Sequence, residues 1–265
     1  LFRFETLKIY RHDRIGIVGL NGAGKTTLMN ILTGEDIADS GSVRRYGKHS
    51  YLKQLAEPVA TGLDAALLSS YGVNNPDIGT MSGGEKTRLQ LARCLGTECQ
   101  MLFLDEPTSN LDLNGIQLLE AELRDFQGAI ILITHDRTLL DAICTKIWEV
   151  ADAKVTEYSG NYHDYRRQKE AEVSRQQFEY EQYIKEKKRL LAGVREKQQQ
   201  AQSMKKAPAR MGNSEARLHK RSVGGKKAKL ERAAKALESR LRQLEQKEKP
   251  RQGDAVKFDW QEQQQ

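Results

Sequence analysis

The run "GLNGAGKTT" at residues 19–27 fills the pattern G-x-x-x-x-G-K-T with Gly19, Gly24, Lys25 and Thr26. Small residues in such a run let successive backbone N–H groups curl around phosphate oxygens at the start of a helix. Leu20, Asn21, Gly22 and Ala23 complete the cradle, and Thr27 follows it with a second hydroxyl. Lys25 then reaches the outer phosphates of a nucleotide, and the Thr26 hydroxyl is suited to ligate Mg²⁺. Further along, "MLFLDEP" at 101–107 is four apolar residues ending in two carboxylates. Asp105 is suited to hold magnesium through water, and Glu106 to orient an attacking water or take its proton. An apolar run ending in two acids is weak on its own; downstream of a phosphate loop it indicates a P-loop hydrolase.

These residues need elements to present them. "RIGIV" at 14–18 reads as a strand entering the loop, and "LMNILTG" as the helix leaving it and stopping at Gly34. "MLFL" and "AIILI" at 129–133 read as strands buried on both faces, which is the habit of a parallel sheet covered by helices. The fold class is therefore α/β. "MSGGEKTRLQLARCL" at 81–95 describes a capped helix with apolar residues Leu89, Leu91, Ala92 and Leu95. Its leading Ser82, Gly83, Gly84 and Glu85 offer free amides to an anion, and that anion need not lie on the phosphate loop of the same copy.

Charge divides the chain. Residues 1–160 carry 16 Lys and Arg against 21 Asp and Glu, whereas 161–250 carry 25 against 12. Within 185–229 the ratio is 15 to 3, and a polyanion is the natural partner for such a stretch. Cys94, Cys99 and Cys144 show no metal-ligand spacing and suit a reducing compartment, which points to a cytoplasmic setting. The longest apolar run, 129–133, is far short of the ~20 residues that span a bilayer.

From Tyr162 to about Gln200 there is no proline and one glycine, Gly193. Tyr180, Ile184, Leu191 and Val194 make a plausible seam, and Leu230, Ala234, Leu237, Leu241 and Leu244 make a clearer one with alternating steps of four and three. The spacing predicts two helices folded back on each other. Pro208 and Gly212 mark the turn, Ser214 is a candidate cap, and Gly224 and Gly225 a soft point. Lys205, Lys206, Arg210, Arg217, Lys220 and Arg221 crowd the tip near 201–221 with no aromatic residue between them. That composition favours backbone and shape contacts with folded RNA over stacking on bases.

"SGGE" at 82–85 resembles the signature motif of the ATP-binding cassette superfamily, and that family's other marks follow in order. Gln54 in "YLKQ" matches its Q-loop, "SNLD" at 109–112 its D-loop with Asp112, and His135 in "ITHDR" its switch histidine. The resemblance implies ATP and Mg²⁺ at a composite site, with Thr26, Gln54 and Asp105 around the metal and Glu106 and His135 catalytic. The signature would act in trans on the nucleotide of another cassette. A cassette followed by "YSGNYHDYRRQKE" and a charged hairpin is similar to the ABC-F family of ribosome-associated ATPases. In that family the linker approaches rRNA and P-site tRNA near the peptidyl-transferase centre. The tip and "EPTSNLD" resemble the antibiotic-resistance branch most, the alternatives being a general translation factor or the ATPase subunit of a transporter. The expected layout is a cassette at 1–158, a hairpin linker at 159–250, and at 251–265 the start of a second cassette that continues past Gln265. Only 28 positions separate Gln54 from Ser82, too few for the full helical subdomain and arm of many relatives.

Overall fold

The computed structural model describes residues 3–4, 6–53, 69, 81–203, 213–244 and 246–247, with 213–220 as backbone only. Two compact units divide at Lys169 and Glu170. Among the described residues, no helix is long and apolar enough to cross a membrane.

Among the described residues, the first unit is built on a six-stranded sheet. Its strands are β1 (Arg14–Val18), β2 (His49–Leu52), β3 (Met101–Asp105), β4 (Ala129–Ile133), β5 (Lys146–Ala151) and β6 (Lys154–Ser159), in the spatial order β2-β3-β4-β1-β5-β6. All neighbours are parallel except β5 and β6, a hairpin. Helices α1 (Lys25–Thr33), α2 (Gly83–Leu95), α3 (Leu113–Asp125) and α4 (Arg137–Ile143) connect them. Strand side chains alternate between two cores. Ile15, Ile17, Phe103, Ile131 and Ile133 meet Leu28 and Met29 of α1 on one face. Leu102, Leu104, Ile130 and Leu132 meet Leu89, Leu119, Leu123 and Leu139 on the other. Helices on both faces explain why β4 reads as an unbroken apolar run.

Register sets the working edge. Ile17 pairs with Ile133, and Asp105 with Ile133, so β1, β3 and β4 end together at their carboxyl ends, where open α/β sheets bind ligands. Arg14 steadies the opposite end, donating to the carbonyl oxygens of Phe126 and Gly128 between α3 and β4.

The long helix α5 (Tyr162–Ser203) begins inside the first unit. Gly160, at φ 105°, makes the turn that L side chains resist, and Asn161 caps the helix by accepting from the Asp164 N–H. The unit boundary falls two turns into this helix because Tyr165 is buried against the sheet and Lys169 bonds to Glu149 on β5.

The second unit pairs the rest of α5 with α6 (Asn213–Gln243). Glu179 lies beside Lys247 and Gly193 beside Leu237, so the helices are antiparallel. Buried positions are Leu190, Val194 and Ala201 on α5 and Ala234 on α6. The seam therefore uses Leu190 where the spacing predicts Leu191, which is exposed. With Val194 and Ala201, Leu190 keeps steps of four and seven, whereas Leu191 lies a further 100° round the helix. Ser214 lies within α6, and the helix runs unbroken through Gly224 and Gly225.

Candidate functional site

The phosphate loop leaves the middle of the sheet and turns into α1 at Gly24, whose φ of 101° requires glycine. A side chain on Gly19 would collide with the Val150 carbonyl on the neighbouring strand, so this glycine is held by close backbone approach. Lys25 folds back across the loop. Its Nζ donates to the carbonyl oxygens of Gly19 at 2.9 Å and Leu20 at 3.1 Å. Burial holds its pKa below the usual lysine value, while the Glu106 and Asp105 carboxylates oppose that shift.

Thr26 on the first turn of α1 donates its hydroxyl to Asp105 Oδ2 at 2.8 Å. Asp105 is buried at the end of β3, and burial raises its pKa against the pull of Thr26 and Lys25. A hydroxyl and a buried carboxylate in contact beside a phosphate loop are hard oxygen donors that suit Mg²⁺.

Glu106 leaves the strand in the left-handed conformation, φ 52°, with its N–H bonded to the Ile133 carbonyl at 2.8 Å. A non-glycine residue held there costs energy, and such strain gathers at functional sites. The turn aims the carboxylate at His135, whose Nε2 lies 3.5 Å from Oε1 and whose backbone N–H donates to Oε2 at 3.4 Å. Burial raises the Glu106 pKa, with His135 and Lys25 working against it and Asp105 adding to it. A half-shielded carboxylate with raised pKa beside an imidazole is equipped to accept a proton. Thr108 and Thr134, their hydroxyls 3.1 Å apart, tie the two loops that carry Glu106 and His135. The sequence reading passed over both threonines, although each lies within two residues of a candidate.

Ser82 and Glu85 form a reciprocal capping box: Glu85 N–H donates to Ser82 Oγ, and Ser82 N–H to Glu85 Oε2 at 2.8 Å. Ser82 Oγ also donates to that carboxylate at 2.7 Å, and these bonds lower the Glu85 pKa. Gly83 and Gly84 pack on Asn110 of the "SNLD" turn, where φ is 65°. Asp112 caps α3 by accepting from the Gly115 N–H at 3.0 Å. Thus 82–85 and 109–112 form one assembly within the unit, its helix end pinned by Ser82 and its flank by Asn110. Gln54, Lys205, Lys206 and Arg210 lie outside the described residues, as do the side chains of Arg217 and Lys220. Arg221 is exposed on α6.

A family model described as ABC transporter matches residues 5–63 and 52–109, and a second of the same description matches 148–224. The chain is 36% identical over 254 residues to the erythromycin resistance ATP-binding protein MsrA of Staphylococcus epidermidis, covering 93% of this chain and 52% of that protein. It is 35% identical over 199 residues to the ribosome protection protein VmlR of Bacillus subtilis, covering 72% and 36%. The chain belongs to the ABC-F family of ATP-binding cassette proteins. A further ABC-F relative is the energy-dependent translational throttle protein EttA of Haemophilus influenzae, 37% identical over 180 residues, covering 57% of this chain and 32% of EttA. This ABC-F chain thus spans about half or less of the length of these relatives. Among solved structures, an RNase-L inhibitor aligns at TM-score 0.54 and 22% identity over 60% of this chain and 37% of its own. An archaeal ribosome recycling factor, aABCE1, solved with the stalk protein aP1, aligns at 0.52 and 21% over 62% and 37%. Both share the fold of the first unit.

Proposed function

We propose that this chain is the nucleotide-operated part of a cytoplasmic ribosome factor that confers antibiotic resistance by protecting the drug's target. The observation that carries the reading is Glu106, held in a strained turn between the phosphate loop and His135. In this reading 1–158 is the cassette, 159–250 the linker, and 251–265, outside the described residues, opens a second cassette. Backbone amides of 19–27 hold the phosphates of ATP and Lys25 leaves its loop carbonyls for the outer phosphates. Thr26, Asp105 and Gln54 would hold Mg²⁺, which supplies charge neutralisation on the phosphates. Glu106 takes the proton of the attacking water, and His135 keeps the carboxylate oriented. Ser82–Glu85 and Asp112 meet the nucleotide of the partner cassette, so closure needs both. The basic tip, Lys205, Lys206, Arg210, Arg217, Lys220 and Arg221, contacts rRNA and the P-site tRNA.

Alignment extent supports the resistance branch over a general translation factor. MsrA aligns along 93% of this chain with few unmatched positions, whereas the 180 positions aligned to EttA exceed 57% of 265 residues, so EttA carries residues with no counterpart here.

Such a switch needs different affinities in its two states rather than hydrolysis during binding. Glu106→Gln in the full-length protein, whose ATP turnover should fall by about 10²–10⁴, is expected to stay on ribosomes when sedimented with ATP. Recovery of that variant in the supernatant overturns the reading. Drug susceptibility of cells expressing tip variants then separates resistance from a general role in translation.

A further inference from the structure

The first two turns of α5 are fixed to the cassette by a buried polar cluster that no part of the nucleotide site uses. Glu149 on β5 is buried, and its carboxylate accepts three donors: Tyr165 OH at 2.9 Å, Tyr158 OH at 3.3 Å and Lys169 Nζ at 2.6 Å. The rings of Tyr158 and Tyr165 meet edge to face at 5.1 Å, and Lys169 lies over Tyr158 at 5.9 Å. Two of these donors, Tyr165 and Lys169, stand one turn apart on the helix, so both are lost to Glu149 together if the helix root moves.

The position of Glu149 gives the cluster a second neighbour. It pairs in register with Val18, the last residue of the strand that enters the phosphate loop. The next residue, Val150, presents its carbonyl to Gly19 so closely that only glycine fits. From Gly19 to Val150 to Glu149 to Tyr165 the path is one close backbone contact, one peptide bond and one hydrogen bond. Packed backbone of this kind passes on a displacement that flexible side chains absorb.

We propose that Glu149 is a positioning residue that couples the conformation of the phosphate loop to the root of the long helix. This rests on the reading of 19–27 as a nucleotide site. Occupation of the loop shifts the end of β1 and with it β5; Glu149 moves with the strand, and Tyr165 and Lys169 follow. The coupling is a difference between two states, so it is measured as a nucleotide-dependent change rather than as stability.

The test is hydrogen exchange of the full chain with and without a non-hydrolysable ATP analogue, in the wild type, in Tyr165→Phe/Lys169→Met, and in Lys169→Arg. In the wild type the analogue is expected to slow exchange at 19–33 and to change it at 162–169. In the double variant the change at 19–33 persists and that at 162–169 falls at least threefold, while Lys169→Arg, which keeps a donor, retains most of it. A purely structural cluster would alter exchange at 162–169 equally with and without the analogue, and that result overturns the proposal. So does an unchanged response in the double variant confirmed as folded by circular dichroism, or wild-type protection confined to 19–33. Absence of protection at 19–33 in the wild type sinks the nucleotide reading itself, and this inference with it.

Discussion

Gly83 and Gly84 are neighbours in one motif, yet their replacement by alanine should act with opposite sign. A Cβ on Gly84 would come to 2.7 Å from the Asn110 carbonyl oxygen. Carbon and oxygen of this kind meet no closer than about 3.3 Å, so roughly half an ångström must be found. Asn110 has little room to give, because its left-handed φ closes a turn in which Ser109 N–H bonds to Glu106 and Leu111 N–H to Thr108. Overpacking against backbone costs about 2 kcal/mol at the middle of its usual range, and the helical preference of alanine returns about 0.5–1, leaving a loss of about 1 kcal/mol. At Gly83 the nearest atom is Asn110 Cγ at 3.4 Å, an ordinary contact, so only the gain of up to about 0.5–1 kcal/mol remains. The two variants should differ by about 2 kcal/mol, which is about 1 M in the urea midpoint for an m-value near 2 kcal/mol/M. The chain has two tryptophans, Trp148 and Trp260, and Trp148 is fully buried in the cassette core. In a Trp260→Phe background its fluorescence follows this unit alone. ATP turnover is a poor discriminator, since both glycines face the proposed nucleotide. A midpoint for Gly84→Ala equal to or above that of Gly83→Ala refutes the reasoning.

Burial raises the Glu106 pKa, so the folded state holds its proton more tightly than the unfolded chain; this group favours folding at low pH and the benefit is lost as pH rises through the raised value. Glu106→Gln should therefore raise the melting temperature of nucleotide-free protein at pH 8, with the gain vanishing below the ordinary glutamate range; a gain that grows towards acid pH contradicts this. Gly224 and Gly225 sit inside α6, and among the described residues a methyl group added at either would meet nothing within 4 Å. Alanine at both should add helical signal in circular dichroism and stabilise the hairpin by about 1 kcal/mol per site, and a loss of helical signal would show that the pair serves another conformation.

What the sequence disclosed was whatever a short window encodes. The glycine loop, the capping box at Ser82 and Glu85, and the apolar runs of β3 and β4 each declare themselves within a few residues, because the phosphate cradle, the helix start and the buried strand are local devices. The seam of the hairpin was legible only to within one position, since Leu190 and Leu191 are both apolar and the partner helix decides between them. Glu149 was invisible: an acidic residue in a strand gives no hint that two tyrosines and a lysine from later elements converge on it. The motif "YSGNYHDYRRQKE" did carry a signal that the reading left unused, because Tyr158 opens it and Tyr162, Tyr165 and Lys169 share one helical face.

The deeper gap is topological, and it bears directly on the chemistry. In sequence the phosphate loop comes first and the acidic strand third, but in space β4 lies between β1 and β3. Thr26 must therefore reach from α1 across the end of β4 to meet Asp105, and the Glu106 N–H closes the same gap by bonding to Ile133 at the tip of β4. Strand β4 is thus the spacer that sets the distance between loop and acid, and it delivers His135 at the point where that distance is bridged. No periodicity reveals which strand intervenes, because β3 and β4 are both apolar runs buried on both faces and either would fit the same slot. The left-handed turn at Glu106 belongs to this arrangement: as the chain leaves β3, the residue bonds with Ile133 of the neighbouring β4 through its backbone and with His135, just beyond that strand, through its side chain.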